Sequence, residues 1–383
     1  MKDKTEFQAL MLKNRLQKRQ RHLAKWARCR GIGAYRLYDR DIPEIPLVID
    51  YYRGRSETEE RRSAEAAPVE AVEALAGALY RRPYERDPAE EEAWLAAMEG
   101  AMTAALGIPG ARIFLKERRR LRGRREQYGK SEAPRGGFVL AVDEGGLRFR
   151  VNLSDYLDTG LFPDRREIRA RIREEAAGKR VLNLFAYTCA FSVYAAAGGA
   201  ASVDSVDLSN TYLDWGRRNF ALNGLRGGGA ERGPFRFIRA DALRFLEEAA
   251  GKGRTWDLII MDPPAFSNSK KMAGTLDIRR DHPALIAGCL KLLSPEGRLW
   301  FSAGASRFRL RGEAIEDLLR RQGGPGGRGS RRLRIEGPGD NIVDEDFRGR
   351  RPPPCCVLSL SAGAGPQTPA AHKGESSYTG IHG

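Results

Sequence analysis

Histidine and cysteine are scarce in this chain of 383 residues, with four of the first and five of the second. Two of the histidines, His372 and His382, lie in a C-terminal stretch of small and polar residues, so a histidine-based metal centre is not expected. Cys29, Cys189, Cys289, Cys355 and Cys356 are odd in number and form no paired CxxC set. That argues against a disulfide framework and against a zinc site, and most of them read as buried thiols. Long apolar runs are lacking too: none approaches the ~20 residues that cross a bilayer, so no membrane partner is expected. The opening MKDKTEFQALMLKNRLQKRQ has no apolar segment of the secretory kind, which makes the cytoplasm the expected compartment.

What is present points elsewhere. A hydrophobic content of 41% supports packed cores, and the length suits two or three domains of about 100–200 residues. The formal net charge of +16 points to a polyanionic partner, nucleic acid before others. Residues 5–31 read as one basic helix, with Leu10, Leu12, Leu16, Leu23 and Trp26 at near-helical spacing. Short strand patterns at 34–37, 46–52, 112–116, 137–142 and 147–152 surround a helical stretch at 90–106, which suggests a small α+β domain. Residues 53–69 are charged, polar and without periodicity, and read as an insertion. The segment ERRRLRGRREQYGK (117–130) is crowded with arginine. Arg118, Arg120, Arg122, Arg124 and Tyr128 there suit phosphate contact and base stacking, as do the cations Lys13, Arg15, Lys18 and Arg19 of the first helix.

From about residue 165 the pattern becomes strand–helix alternation, with strands at 181–185, 201–207, 235–239, 256–261 and 297–302. Continuous apolar strands in repeated β-α-β units imply a doubly wound parallel sheet of the α/β class, in which ligands bind at the carboxyl ends of strands. Each of the first four strands closes on polar or acidic residues: Asn183 to Ser192 after the first, Asp207 after the second, Asp241 after the third, Asp262-Pro263-Pro264-Ala-Phe266 after the fourth. An acid after the second strand can accept bonds from ribose hydroxyls, and Asp241 suits an adenine amino group. No GxGxxG or Walker loop follows a strand, which disfavours NAD and ATP and favours a cofactor with ribose and adenine but no phosphate. Paired prolines hold Asp262 on a rigid extended backbone, and Phe266 offers a flat face to a planar base.

VLNLFAYT, VDLSNTYLDWGRRNFALNG and DLIIMDPPAFSNSK closely resemble the bacterial 23S ribosomal RNA guanine-N7 methyltransferases, the RlmK-like half of a fused two-activity enzyme. NRLQKRQRHLAKWARCRGIGAYRLYDRDIPEI resembles that family's basic opening helix and first strand, and VNLSDYLDTGLFPDRREIR its connector. The resemblance implies a class I, Rossmann-like, seven-stranded fold with a small N-terminal domain, and S-adenosylmethionine as cofactor. By matching position, Asn183, Phe185, Tyr187, Thr188 and Cys189 fall in the cofactor loop, with Asp207 at the ribose and Asp241 at the adenine. Asp164 and Arg165 would close over the cofactor; Asp262, Pro263, Pro264 and Phe266 would meet the target base, with Asp262 also beside the cofactor.

The expected organisation is a basic helix (1–32), a small RNA-binding domain (33–158), a catalytic domain (159–320), terminal strands (321–361) and a disordered tail (362–383). The sequence departs from the family where Cys189 replaces a glycine, where 53–69 take the place of a third small-domain strand, and after residue 320, where DEDFRGR (344–350) is kept. Expected partners are 23S ribosomal RNA or a large-subunit assembly intermediate, and a separate methyltransferase or RNA-binding module. The competing functions are a ribosomal RNA cytosine-C5 methyltransferase, which needs an attacking thiolate, and a non-catalytic RNA-binding assembly factor. A protein or DNA methyltransferase is a further rival, disfavoured for protein by the charge.

Overall fold

The computed structural model of the chain describes residues 2–57, 70–80, 87–117, 137–225, 233–268, 274–305, 308–321, 332–338, 343–350 and 354–361. Helix α1 (Lys2–Cys29) buries Leu12, Leu16, Leu23 and Ala27, one side of a 3.6-residue repeat. It packs against α2 (Pro88–Leu106), which Asp87 caps by accepting from the backbone N–H of Ala89 and which buries Trp94, Met98 and Met102. The indole of Trp94 donates to Gln8 across that contact at 2.7 Å.

Under the helix pair lie strands β1 (Ala34–Asp39), β2 (Leu47–Ser56), β3 (Val72–Leu79), β4 (Ile113–Glu117), β5 (Val139–Glu144) and β6 (Leu147–Asn152). The sheet runs β4-β3-β2-β5-β6, with β1 also paired to β2. This corrects the expectation that an insertion displaces the third strand. Residues 53–56 continue β2, and β3 pairs antiparallel with it from Leu47↔Leu79 to Gly54↔Val72. The sequence pattern hides this strand because VEALAGAL, after its opening Val72 and Glu73, is built of alanine, glycine and leucine, which carry little strand preference, and is held by burial instead. Residues 58–69 and the arginine-rich segment at 118–136 lie outside the described residues, as do 362–383.

The second sheet follows the order β14-β15-β13-β10-β7-β8-β9. Its parallel part comprises β7 (Arg180–Leu184), β8 (Ser202–Asp207), β9 (Phe235–Arg239), β10 (Trp256–Met261) and β13 (Leu293–Ser302). Strands β14 (Arg332–Glu336) and β15 (Cys355–Ser361) close it antiparallel. One face carries α3 (Arg166–Glu175), α4 (Ala190–Ala197) and α5 (Asn210–Leu222); the other carries α6 (Ala242–Gly251), α7 (Ile278–Lys291) and α8 (Gly312–Arg321). A short hairpin of β11 (Phe266–Ser267) and β12 (Leu276–Asp277) stands beyond β10. This is the expected seven-stranded doubly wound sheet. Among the described residues, no helix is long and apolar enough to cross a membrane.

The two sheets share a core. Ala34, Tyr52, Leu140, Val142 and Phe149 pack with Ile168, Ile172, Val193 and Tyr194, and the rings of Phe149 and Tyr194 stack at 5.7 Å. Helix α5 also bonds to β6: Asn223 exchanges bonds with the backbone of Arg148, Asn219 accepts from Arg150, and the Trp215 indole donates to the Arg150 carbonyl, all at 2.7–2.8 Å.

Candidate active site

Strand order reverses between β7 and β10, so the crevice of this sheet opens at their carboxyl ends. After β7 the chain curls tightly. Phe185, Tyr187 and Cys189 all have positive φ, at 55°, 49° and 60°, conformations that cost an L-residue of order 1 kcal/mol or more unless the surroundings impose them. The surroundings are visible. The Tyr187 N–H donates to Asp207 at 2.9 Å, and the other oxygen of Asp207 accepts from the Ser209 N–H at 2.8 Å. The Thr188 hydroxyl donates to the Gly160 carbonyl at 2.6 Å, and its own carbonyl accepts from Asn219. Gly160 sits at φ 103° where any Cβ would collide with Trp215, so the connector can pass here only as glycine. Burial pushes the Asp207 carboxyl above its usual range, while the backbone donors pull it back.

Cys189, where the resemblance leads one to expect a glycine, is fully buried, and burial pushes its thiol up to about 12. Its side chain turns into α5, against Gly216, where a Cβ would stand 2.9 Å from Cys189 Cβ and closer still to its sulfur. The added side chain is therefore housed by a missing one. Asn183 is also interior: its amide donates to Ser192, which accepts from Ser205. Asn183 and Thr188 thus brace the loop from within. Phe185 and Tyr187 are only half-buried, and Tyr187 rests against Tyr212 at 4.6 Å and Phe162 at 5.4 Å.

Asp262 stands at the end of β10 and is already gripped. Arg165 Nε donates to Oδ2 at 3.0 Å and Nη2 to Oδ1 at 3.2 Å, a bidentate fork, and the Ser302 hydroxyl at the end of β13 donates to Oδ1 at 2.6 Å. Arg165 also holds Asp164 at 2.9 Å. Burial would pull the Arg165 guanidinium down, but these two carboxylates outweigh it and keep it charged. Arg165 is therefore tied to the strand-end carboxylate. Pro263 is buried, Pro264 half-buried, and Phe266 on the hairpin is 43% exposed. Asp241 caps α6, accepting from the Arg244 N–H at 3.2 Å, and remains partly exposed.

Sequence reasoning missed Ser302, Gly160, Gly216 and Cys355. Cys355 is paired with Ser302 across β15 and β13 and lies close enough to feel both Asp262 and Arg165. The signal available for Gly216 was a glycine in the middle of an otherwise regular helix. Of the expected RNA contacts, Lys13 and Lys18 carry no acidic partner among the described residues. Arg15 pairs with Asp41 at 2.6 Å, and Arg19 donates to the Asp346 carbonyl at 3.1 Å. Arg118, Arg120, Arg122, Arg124 and Tyr128 lie outside the described residues. No cluster of metal-ligating side chains occurs among the described residues.

A family model for S-adenosylmethionine-dependent methyltransferases matches residues 74–303. The chain belongs to that family. It is 44% identical over 338 residues to the ribosomal RNA large subunit methyltransferase K of Neisseria meningitidis serogroup B, covering 88% of this chain and 84% of that protein. It is 45% identical over 318 residues to the ribosomal RNA large subunit methyltransferase K/L of Methylococcus capsulatus, covering 82% of this chain but 40% of the longer protein. A solved structure of a methyltransferase complexed with SAH shares the fold, with a TM-score of 0.64 at 23% identity over 92% of this chain and 81% of that one. A methyltransferase structure from Streptococcus mutans does so at a TM-score of 0.63, with 22% identity over 91% and 81% of the two chains. The expected separate partner module draws no support from these matches.

The cofactor of this family of methyltransferases is S-adenosylmethionine, and the donor set fits it. The Asp207 oxygens accept from the backbone N–H groups of Tyr187 and Ser209, with Leu208 also contributing, and of their roughly four acceptor positions one remains for a ribose hydroxyl. The curled 185–189 loop offers no glycine-rich phosphate cradle, as a cofactor without phosphates requires.

Proposed function

We propose that this methyltransferase acts in the cytoplasm on N7 of a guanine in 23S ribosomal RNA, free or within a large-subunit assembly intermediate. The relatives' names support ribosomal RNA as the substrate. The observation that carries the nitrogen target is the strand-end group: a pre-oriented carboxylate, an exposed aromatic ring, and a neighbouring thiol that is not ionised.

The bound cofactor supplies a methyl group already made electrophilic by a positively charged sulfur. Guanine N7 has a lone pair, so the chain need not remove a proton from it. Asp207 would hold the ribose, Asp241 the adenine edge, and the loop from Phe185 to Cys189 the amino-acid end, leaving the reacting end beside Asp262. Asp262 has three of its roughly four acceptor positions filled by Arg165 and Ser302. The remaining position accepts an N–H from the base and fixes its rotation, while Phe266 stacks on its face. Orientation of this kind is where most of the rate would come from. The base must leave its stack to reach the hairpin.

Cytosine C5 is not nucleophilic, and its methylation requires a thiolate. Cys355 is the thiol beside Asp262, and burial, reinforced by Cys356 and Asp262, pushes it up to about 12. It is protonated at neutral pH and cannot serve. A non-catalytic role would need Cys189 to spoil the cofactor loop, but its side chain packs into α5, against Gly216. Asp262→Ala is expected to reduce methyl transfer by roughly a hundredfold or more while calorimetric cofactor affinity stays within a few-fold. Near-normal turnover in that variant overturns the assignment.

A further inference from the structure

The arginines and lysines from Arg15 to Arg30, on α1 and just past its end, fall into two sets. No acidic residue occurs from Phe7 to Gly33, so every partner must come from elsewhere in the fold. One set has found partners. Arg15 pairs with Asp41, Arg30 with Asp344 and Glu167 at 2.8 and 2.9 Å, and Arg19 reaches the carbonyls of Leu37 and Asp346. These side chains fasten the helix to β1, α3 and the 344–350 turn. The other set is Lys18, Arg21, Lys25 and Arg28. All four are exposed, and none has an acidic partner among the described residues. Arg21 donates to the Gln17 carbonyl of its own helix.

Their spacing of three, four and three residues aligns them in a single stripe at about 100° per residue. The stripe lies on the side opposite Leu12, Leu16, Leu23 and Ala27, which are buried. From Lys18 to Arg28 it runs roughly 15 Å at about 1.5 Å per residue. Attraction to the helix dipole explains a cation in the last turn, such as Arg28, but fades within one turn and does not explain Lys18 or Arg21. Among the described residues no acidic side chain pairs with these four charges, and α1 lies outside the 74–303 span that the family model matches.

We propose that this outward stripe of α1 docks along the sugar–phosphate backbone of the RNA substrate, as a sequence-independent track that holds the RNA while the strand-end site selects the base. The proposal rests on the reading of the chain as an RNA methyltransferase. A protein partner is the alternative occupant, because Phe7 and Leu10, 61% and 52% exposed, extend the same stripe with apolar surface.

The test is the salt dependence of binding to a labelled RNA duplex of roughly 20 base pairs, using the full chain and measuring fluorescence anisotropy from about 50 to 200 mM KCl. Each phosphate contact contributes about 0.7–0.9 to the slope of log K against log salt. The variant Lys18→Gln/Arg21→Gln/Lys25→Gln/Arg28→Gln is expected to lose about three units of that slope, with cofactor affinity unchanged. Phe7→Ser/Leu10→Ser is expected to keep the slope. An unchanged slope in the quadruple variant overturns the proposal, even where the wild type binds RNA and transfers methyl groups normally. Loss of RNA binding in the apolar variant alone assigns the stripe to a different kind of contact. A wild-type chain that binds cofactor but no RNA overturns this proposal and the RNA methyltransferase reading together.

Discussion

Arg165 and Arg166 are neighbours in sequence and serve opposite kinds of site. Arg165 reaches into the crevice, where it meets Asp262, a carboxylate 17% exposed with acceptor capacity left over. Arg166 turns the other way, into an interior where every charge is matched. Its guanidinium meets Asp344 at 2.7 Å and Asp346 at 3.1 Å, donates to the Ala34 carbonyl at 2.7 Å, and lies 3.3 Å from Glu144. Glu144 is held in turn by both arms of Arg169 and by the Tyr194 hydroxyl. Burial alone would pull Arg166 down, but three carboxylates hold it charged. The contrast teaches a division of labour. A structural ion network is buried with its charges compensated, because an uncompensated buried charge is expensive; Arg166 Nε lies buried near Glu144 without a hydrogen bond of its own. A functional one keeps a vacancy on its solvent side.

The segment DEDFRGR (344–350) belongs to the structural network. Asp344 caps a short turn, Asp346 is buried, and Arg350 pairs with Asp39 at 3.4 Å and with Asp41. The turn is a bolt between α1, β1 and α3.

The comparison can be broken most severely at Arg166. Arg166→Met should destabilise the fold by about 3–5 kcal/mol, read as a lower denaturant midpoint, while cofactor affinity per folded molecule stays near normal. If stability is unchanged, the network is not what joins the two sheets. Arg165→Lys keeps the charge but loses the fork on Asp262. Transfer should fall roughly tenfold to hundredfold, about 1.4–2.8 kcal/mol, with melting altered little. A variant that melts early with normal turnover would make Arg165 structural like its neighbour.

Gly216→Ala drives a Cβ into Cys189 and should cost about 1–3 kcal/mol. Adding Cys189→Gly should recover most of it, since glycine accepts the positive φ without strain. Two simply additive losses would deny the packing of one against the other. The smallest effect belongs to Cys355→Ser: transfer should remain within about twofold, because a buried protonated thiol contributes no nucleophile. Abolished transfer would instead place a cysteine in the chemistry.

The strand ends are legible in the chain's own pattern because a parallel sheet forces ligands to them. The run of apolar strands dictates where Asp207, Asp241 and Asp262 have to stand. Residue roles are less legible. Asn183 and Thr188 have the right positions but bond inward, to Ser192 and Gly160, and no one-dimensional spacing shows which way a side chain turns. Ser302 carries no motif of its own, yet its hydroxyl anchors Asp262 across 40 residues of sequence. Strand β3 is hidden by its alanines. Arg15 and Arg19 look as free as Lys18 along the helix, and only the fold brings Asp41 and the 344–350 turn beside them.

The central claim is methyl transfer to a ring nitrogen of guanine. Its most direct test is mass spectrometry of nucleosides from unmodified 23S ribosomal RNA after incubation with the purified chain and S-adenosylmethionine. The account predicts new 7-methylguanosine, absent with Asp262→Ala. New 5-methylcytidine, or no methylated nucleoside despite tight cofactor binding, would contradict it.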